Sequence, residues 1–217
     1  MKPAIQSEAK PPGAENSWLT PGGHVVNRLD FFLNESLRRR SPDDLARYRI
    51  IILIALVMMV LNGLSLLALP MSPKPWMQAP LGLGSILVGA LALVRLRGRG
   101  DPEQAAILVC LPLTVGLLVT CFNWDLPYSA SHATTMLLPA LSVYLLGARR
   151  GLFFTLPVCL AVGVIHPVRY TLVGEVPGRL LGSLWISDVA AALCMLCIWA
   201  VSWLHSSSRL QAQQARE

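Results

Sequence analysis

Six apolar stretches, each close to the length of a bilayer's hydrocarbon core, fill most of the chain between Ile50 and Leu204. A core of about 30 Å calls for roughly 20 apolar helical residues at ~1.5 Å each. Peptide groups find no water there, so only helices or a closed barrel can cross it. Long apolar runs without strict alternation specify helices. The expected spans are 50–69, 79–96, 105–122, 131–147, 151–168 and 182–204. With 54% hydrophobic and 14% charged residues, the composition lies outside that of soluble globular chains. The fold class is therefore all-α, a polytopic membrane protein with six transmembrane helices.

Arginine sets the orientation, because basic residues resist translocation. One side carries Arg38, Arg39, Arg40, Arg47 and Arg49, then Arg95, Arg97 and Arg99, then Arg149 and Arg150, and finally Arg209 and Arg216. The other side carries Lys74, Arg169 and Arg179. Both termini are thus expected in the cytoplasm. The net charge of +6 is a topology signature, and direct nucleic-acid binding is not expected. No secretory signal peptide is expected, since the first apolar run begins only at Ile50 behind a polar leader. The cysteines Cys110, Cys121, Cys159, Cys194 and Cys197 all fall inside spans, which argues against a disulfide framework.

Four segments follow. Residues 1–22 are polar and rich in proline and glycine, too poor in apolar surface to offset chain entropy, and are expected to be a disordered cytoplasmic leader. Trp18 and Leu19 stand out there as a short contact motif. Residues 23–49 read as an amphipathic juxtamembrane segment. Val25, Val26, Leu29, Phe32, Leu33 and Leu37 recur at helical spacing, while Asn27, Arg28, Asp30, Asn34, Glu35 and Arg38 fill the other face and Phe31 interrupts it. Such a helix either lies on the membrane, with Arg38 to Arg40 near anionic headgroups, or docks a cytoplasmic partner. Ser41-Pro42-Asp43-Asp44 is a helix start that should run unbroken into the first span. Residues 50–204 form the six-helix domain, with Arg95 to Pro102 and Gly147 to Gly151 as inner turns. Residues 205–217 are a polar, helix-compatible cytoplasmic tail. No internal repeat suggests an inverted-repeat transporter.

Few residues carry chemistry. Asp188 is the one carboxylate well inside a span, where an ionised group costs about 2.5–3.5 kcal/mol on insertion scales. It is either a sensing group or a packing residue bonded to Ser183 or Ser187. Cys194-Met195-Leu196-Cys197 has a CxxC spacing, but further zinc ligands at that depth are not evident. Ser183, Ser187, Ala191, Cys194 and Cys197 read as a small-residue packing stripe, with redox reactivity as the sharper alternative. His132 and His166 are expected at the outer face with Asp125, Tyr128, Tyr170 and Glu175, as solvated groups or as a ligand site. Asn62 suits an interhelical hydrogen bond, and Trp199 and Trp203 mark the inner interface. No GxSxG, Walker, HExxH or phosphate-cradling glycine motif is present, so neither enzyme activity nor a cofactor nor a metal is expected.

Leu138-Pro139 followed by Tyr144-Leu145-Leu146-Gly147-Ala148-Arg149-Arg150-Gly151 resembles the six-span membrane sensor module of bacterial histidine kinases. Ser41 to Arg49 is similar to the segment before the first span in that group, and the likeness covers roughly residues 35–215. No phosphoacceptor helix pair or ATP-binding domain follows Glu217 here, so kinase activity is not expected. In size, topology and free leader the chain also resembles small polytopic membrane anti-sigma factors, such as the light-responsive one of myxobacterial carotenoid synthesis. That resemblance implies a regulator in the bacterial inner membrane that sequesters a cytoplasmic sigma factor or other regulator. Trp18, Val25, Leu29, Phe32, Leu33 and Leu37 would bind the partner, and Asp188, Cys194, Cys197, His132 and His166 would be candidates for receiving the signal. Membrane lipids are further partners, and homo-oligomerisation stays open. The other readings are a sensor module of or for a histidine kinase and a small transporter.

Overall fold

A computed structural model describes residues 28–71, 75–123, 135–173 and 178–214. Trp18, Val25 and His132 lie outside these residues. Helices α1 (Glu35–Arg38), α2 (Pro42–Leu67), α3 (Pro75–Gly98) and α4 (Pro102–Asn123) are followed by α5 (Leu137–Leu146) and α6 (Ala148–Leu160). A π-helical turn, Ala161–Ile165, joins α6 to α7 (His166–Val173), and α8 (Gly178–Gln214) closes the bundle. There is no strand among the described residues.

Local chemistry explains the helix ends. The Ser41 hydroxyl accepts from the Asp44 amide at 3.2 Å and donates to the Asp44 carboxylate at 2.9 Å. With Pro42 in the first turn, α2 then runs 26 residues without a break from polar lead-in to apolar span. Pro102 likewise begins α4. Gly147, at φ 81°, turns the chain between α5 and α6 in a single residue, a conformation that L side chains resist. The last helix is 37 residues long and continues past Leu204 to Gln214.

Five helices are long and apolar enough to cross a membrane: Pro42–Leu67, Pro75–Gly98, Pro102–Val119, Ala148–Arg169 and Leu184–Ser208. The fourth apolar run is described only from Thr135 onward, and α5 has 10 residues, about half a hydrocarbon thickness. Outward faces are apolar: Val60 and Leu64 on α2, Val94 on α3, Phe153 on α6 and Val201 on α8 are all more than half exposed. Surfaces of that kind are sites of aggregation in water and ordinary ones in lipid. The protein is a multi-pass membrane protein.

Two buried clusters hold the bundle. Ile51, Ile52 and Ala55 of α2 pack with Ala92 and Leu96 of α3 and Ala106 of α4. Leu138 of α5, Val158 and Cys159 of α6, Val162 of the π turn and Met195 of α8 form the second. The arginine-bearing turns meet at one end of the molecule. There Arg47 bonds the Leu145 carbonyl, Arg150 pairs with Glu103, Arg95 donates to Gln104 at 2.9 Å, and the Trp199 indole donates to the Ala148 carbonyl at 3.1 Å.

At this basic end, residues 28–40 do not form the single amphipathic helix that their spacing suggests. A 3₁₀ turn (Asp30–Phe32) gives way to an extended Leu33, and α1 follows. Asn34 causes the break. Its side chain accepts from the Ser36 amide at 3.3 Å, the capping role that makes asparagine a poor mid-helix residue. Folding back in two pieces buries Leu33 and Leu37 in the first cluster, with Leu29 and Phe32 packed against it. Phe31, the residue that broke the apolar pattern, faces out and carries the Arg97 guanidinium 4.1 Å above its ring. Arg49 fixes the segment through two 2.8 Å bonds to Asp30.

Asn62 differs from expectation. Its amide donates to the Met58 carbonyl one turn back in the same helix, at 2.8 Å.

The α5–α6 hairpin depends on close backbone approach. A Cβ on Gly151 would sit 2.8 Å from the Val143 nitrogen and 2.9 Å from its Cα. Beside it the Thr155 hydroxyl donates to the Gly151 carbonyl at 2.8 Å, and Ser142 reaches the same carbonyl at 3.2 Å. Gly151→Ala should therefore lower stability by about 1–3 kcal/mol in detergent unfolding followed by circular dichroism. Gly116→Ala, where a Cβ meets nothing within 4 Å, is the control and should leave stability unchanged or slightly raised.

Candidate functional site

The feature that stands apart inside the bundle begins as a helix irregularity. Pro167 has no N–H to return to the residue four earlier, and its ring presses on that carbonyl. Just before it the helix widens. The His166 amide bonds the Ala161 carbonyl five residues back, so residues 161–165 make a π turn. Such a turn shifts the face presented by everything after it, and here it re-aims His166.

Gly163 sits within the π turn against α8. A Cβ there would lie 2.6 Å from the Ala192 Cβ, so only glycine lets the two helices come this close. One turn on, His166 meets Asp188, one turn back from Ala192 on α8. The imidazole Nδ1 and carboxylate Oδ2 are 3.0 Å apart, and each residue is 3% exposed. Among the described residues these are the buried imidazole and the buried carboxylate, and they are hydrogen-bonded to each other.

Geometry and burial define the chemistry available. With Asp188 ionised, a protonated Nδ1 donates to it and offsets much of the cost of holding a carboxylate away from water. That bond also sets the ring's orientation and tautomer. A buried pair of this type is costly to break from one side only, because the remaining partner is left uncompensated.

From the sequence, Asp188 is either a sensing group or a packing residue bonded to Ser183 or Ser187, and His166 falls with a separate outer cluster. The structure instead joins Asp188 to His166, 22 residues away. Only contact between helices reveals that pairing. The nearby Gly163 and Pro167 are its sole local signal, and they signal it only in hindsight. Cys194 and Cys197 are exposed free thiols and do not pack within the described bundle, whereas Ala191 of the same small-residue stripe packs against the second cluster. Leu184, Asp188 and Met195 form the buried stripe of α8, and helical rotation turns both cysteines away from it. Among the described residues, no three His, Cys, Asp or Glu side chains gather as a metal site would require. His132, Asp125, Tyr128 and Glu175 lie outside the described residues.

At the basic end the proposed partner-binding residues have another occupant. Leu33 and Leu37 are each 3% exposed, covered by the bundle itself, and Leu29 and Phe32 are partly covered. Their apolar face is available only when the segment leaves this dock. Trp18 and Val25 lie outside the described residues.

No protein-family model matches the chain, and neither a curated protein nor a solved structure shows significant similarity to it.

Gly163→Ala should force α6 and α8 apart, lengthen the His166–Asp188 contact and reduce stability. Ala192→Gly in the same chain removes the opposing Cβ and should recover most of that loss. Unfolding of the two single variants and the double variant in detergent measures this coupling. A double variant no more stable than Gly163→Ala would mean that the close approach does not govern the site.

Proposed function

We propose that the protein is a signal-responsive regulator of the bacterial inner membrane, with six spans and both termini in the cytoplasm. It retains a cytoplasmic transcription factor, a sigma factor, and releases it when a membrane-borne signal alters the bundle. Sequestration of this kind needs a contact surface on a membrane anchor and no bond-breaking chemistry.

The observation that carries this reading is the tether between Asp30 and Arg49. Arg49 belongs to α2, which continues without interruption into the bilayer, and Asp30 belongs to the segment docked beneath it. Displacement of α2 therefore acts directly on the dock. When the segment is held, Leu33 and Leu37 are covered; when it is freed, they present an apolar face to a partner. The two positions form a two-state element, and a signal shifts it by as much as it prefers one state. A differential of about 1.4 kcal/mol changes the balance tenfold. The buried His166–Asp188 contact is a suitable input, because separating the two side chains leaves each polar group uncompensated inside the bundle.

A second reading has its own support. The helix that ends the bundle continues to Gln214, the form expected of a sensor module that passes its signal to a histidine kinase. Co-isolation of a kinase through residues 205–214, unaffected by changes at Asp30 or Arg49, would favour it.

The test uses the full chain in its native membrane. Affinity isolation should recover a sigma factor with the wild-type protein, and Arg49→Ala or Asp30→Ala should raise recovery several-fold by freeing the segment. Absence of any sigma factor from all three preparations would refute the proposal.

A further inference from the structure

A groove of about 610 Å³ opens sideways between α2 and α5, where these two helices barely touch. Its α2 wall runs from Ile50 to Leu61, its α5 wall from Leu137 to Tyr144, and Leu113 and Leu117 of α4 form the floor. Apart from the Tyr144 hydroxyl, the side chains that line it are apolar.

Length and charge indicate an occupant. The 11-residue rise from Ile50 to Leu61 is about 16 Å, roughly half of a hydrocarbon core. The groove therefore serves one leaflet and does not cross both. At roughly 30 Å³ for a water-sized group in a liquid, it accommodates on the order of 20 such groups, as in one long acyl chain. The end of the groove marked by Ile50 and Tyr144 points toward the basic end. Arg47 is one turn before Ile50 on the same face of α2, and its guanidinium bonds the Leu145 carbonyl beside Tyr144. That bond uses one of five N–H donors and holds a half-buried positive charge next to this end of the groove, one turn from Ile50 and beside Tyr144.

We propose that this groove is a binding site for a single anionic phospholipid from the leaflet at the basic end, its acyl chain along Ile54 and Leu141 and its phosphate at Arg47. A helix from a second copy fits the groove less well. Close helix pairing in membranes uses small residues, whereas these walls are leucine, isoleucine, valine, methionine and one tyrosine, with Ala140 the one small side chain. A bound lipid would bridge α2 and α5, and α2 carries Arg49.

Native mass spectrometry of the full-length protein, titrated in detergent with phosphatidylglycerol or phosphatidylcholine, tests this. The wild-type protein should retain one phosphatidylglycerol about tenfold more tightly than phosphatidylcholine. Arg47→Gln should abolish that preference, and Arg47→Lys should restore part of it. Leu141→Trp, which fills the groove, should reduce retention of both lipids several-fold. Leu53→Trp on the opposite wall should do the same, and guards against misfolding in the first variant. Circular dichroism melting verifies that each variant is folded. Retention of phosphatidylglycerol undiminished in both folded tryptophan variants would overturn the proposal. So would equal binding of the two lipids by the wild-type protein. A lipid-free dimer that becomes a monomer in both tryptophan variants would identify the groove as a subunit contact instead, and would equally overturn it.

Discussion

Hydrocarbon offers no hydrogen-bond partner to a peptide group, so each segment that enters it must satisfy its backbone internally. Five described helices do so over lengths that match a bilayer, and their prolines and polar side chains are accommodated within the same constraint. Asn62 and Thr114 donate to carbonyls one turn back in their own helices. Pro167 is preceded by a π turn, which re-forms backbone bonding around the proline's missing donor. The irregularity that relieves the proline also determines which side chain faces α8.

The bundle is held in different ways beside the π turn and at its basic end. Toward α8, Gly163 brings the backbones together and His166 reaches Asp188, so a cost of burial is met by one hydrogen-bonded contact. Toward the basic end, the chain uses arginine in several ways at once. Arg47 caps α5 through Leu145, Arg49 clamps Asp30, Arg97 covers Phe31 and Arg150 pairs with Glu103. Arginine suits this work because its planar fork donates to carboxylates and carbonyls in fixed directions and stacks on an aromatic ring. Two of these arginines, Arg49 and Arg97, thus dock residues 28–40.

That double use links the proposed regulatory reading to the lipid groove. Arg47 and Arg49 are two residues apart on α2, one beside the groove and the other bonded to the docked segment. An occupant that shifts α2 would act on both, and the rigid helix between Pro42 and Leu67 is the physical connection. Coupling of this kind requires only one bistable contact at the end of one rigid element.

Much of the architecture was legible in the residues alone. The Ser41-Pro42-Asp43-Asp44 start, the Pro102 start, the Gly147 turn and the helical extension of the last span all depend on near neighbours, through caps, fixed φ angles and hydropathy. The clustering of arginine turns at one end followed from the same alternation of apolar runs. Other features were decided by tertiary packing: the His166–Asp188 pair, the outward position of Cys194 and Cys197, and the folding of Leu33 and Leu37 back onto the bundle. The reason lies in the solvent. In water an apolar stripe marks the buried face of a helix, but in lipid the outer face is apolar as well, so periodicity no longer says which side packs. Sequence marked the starts and turns that depend on near neighbours, whereas the rotation of each helix about its axis, and with it the contacts between distant residues, was set only when the helices packed.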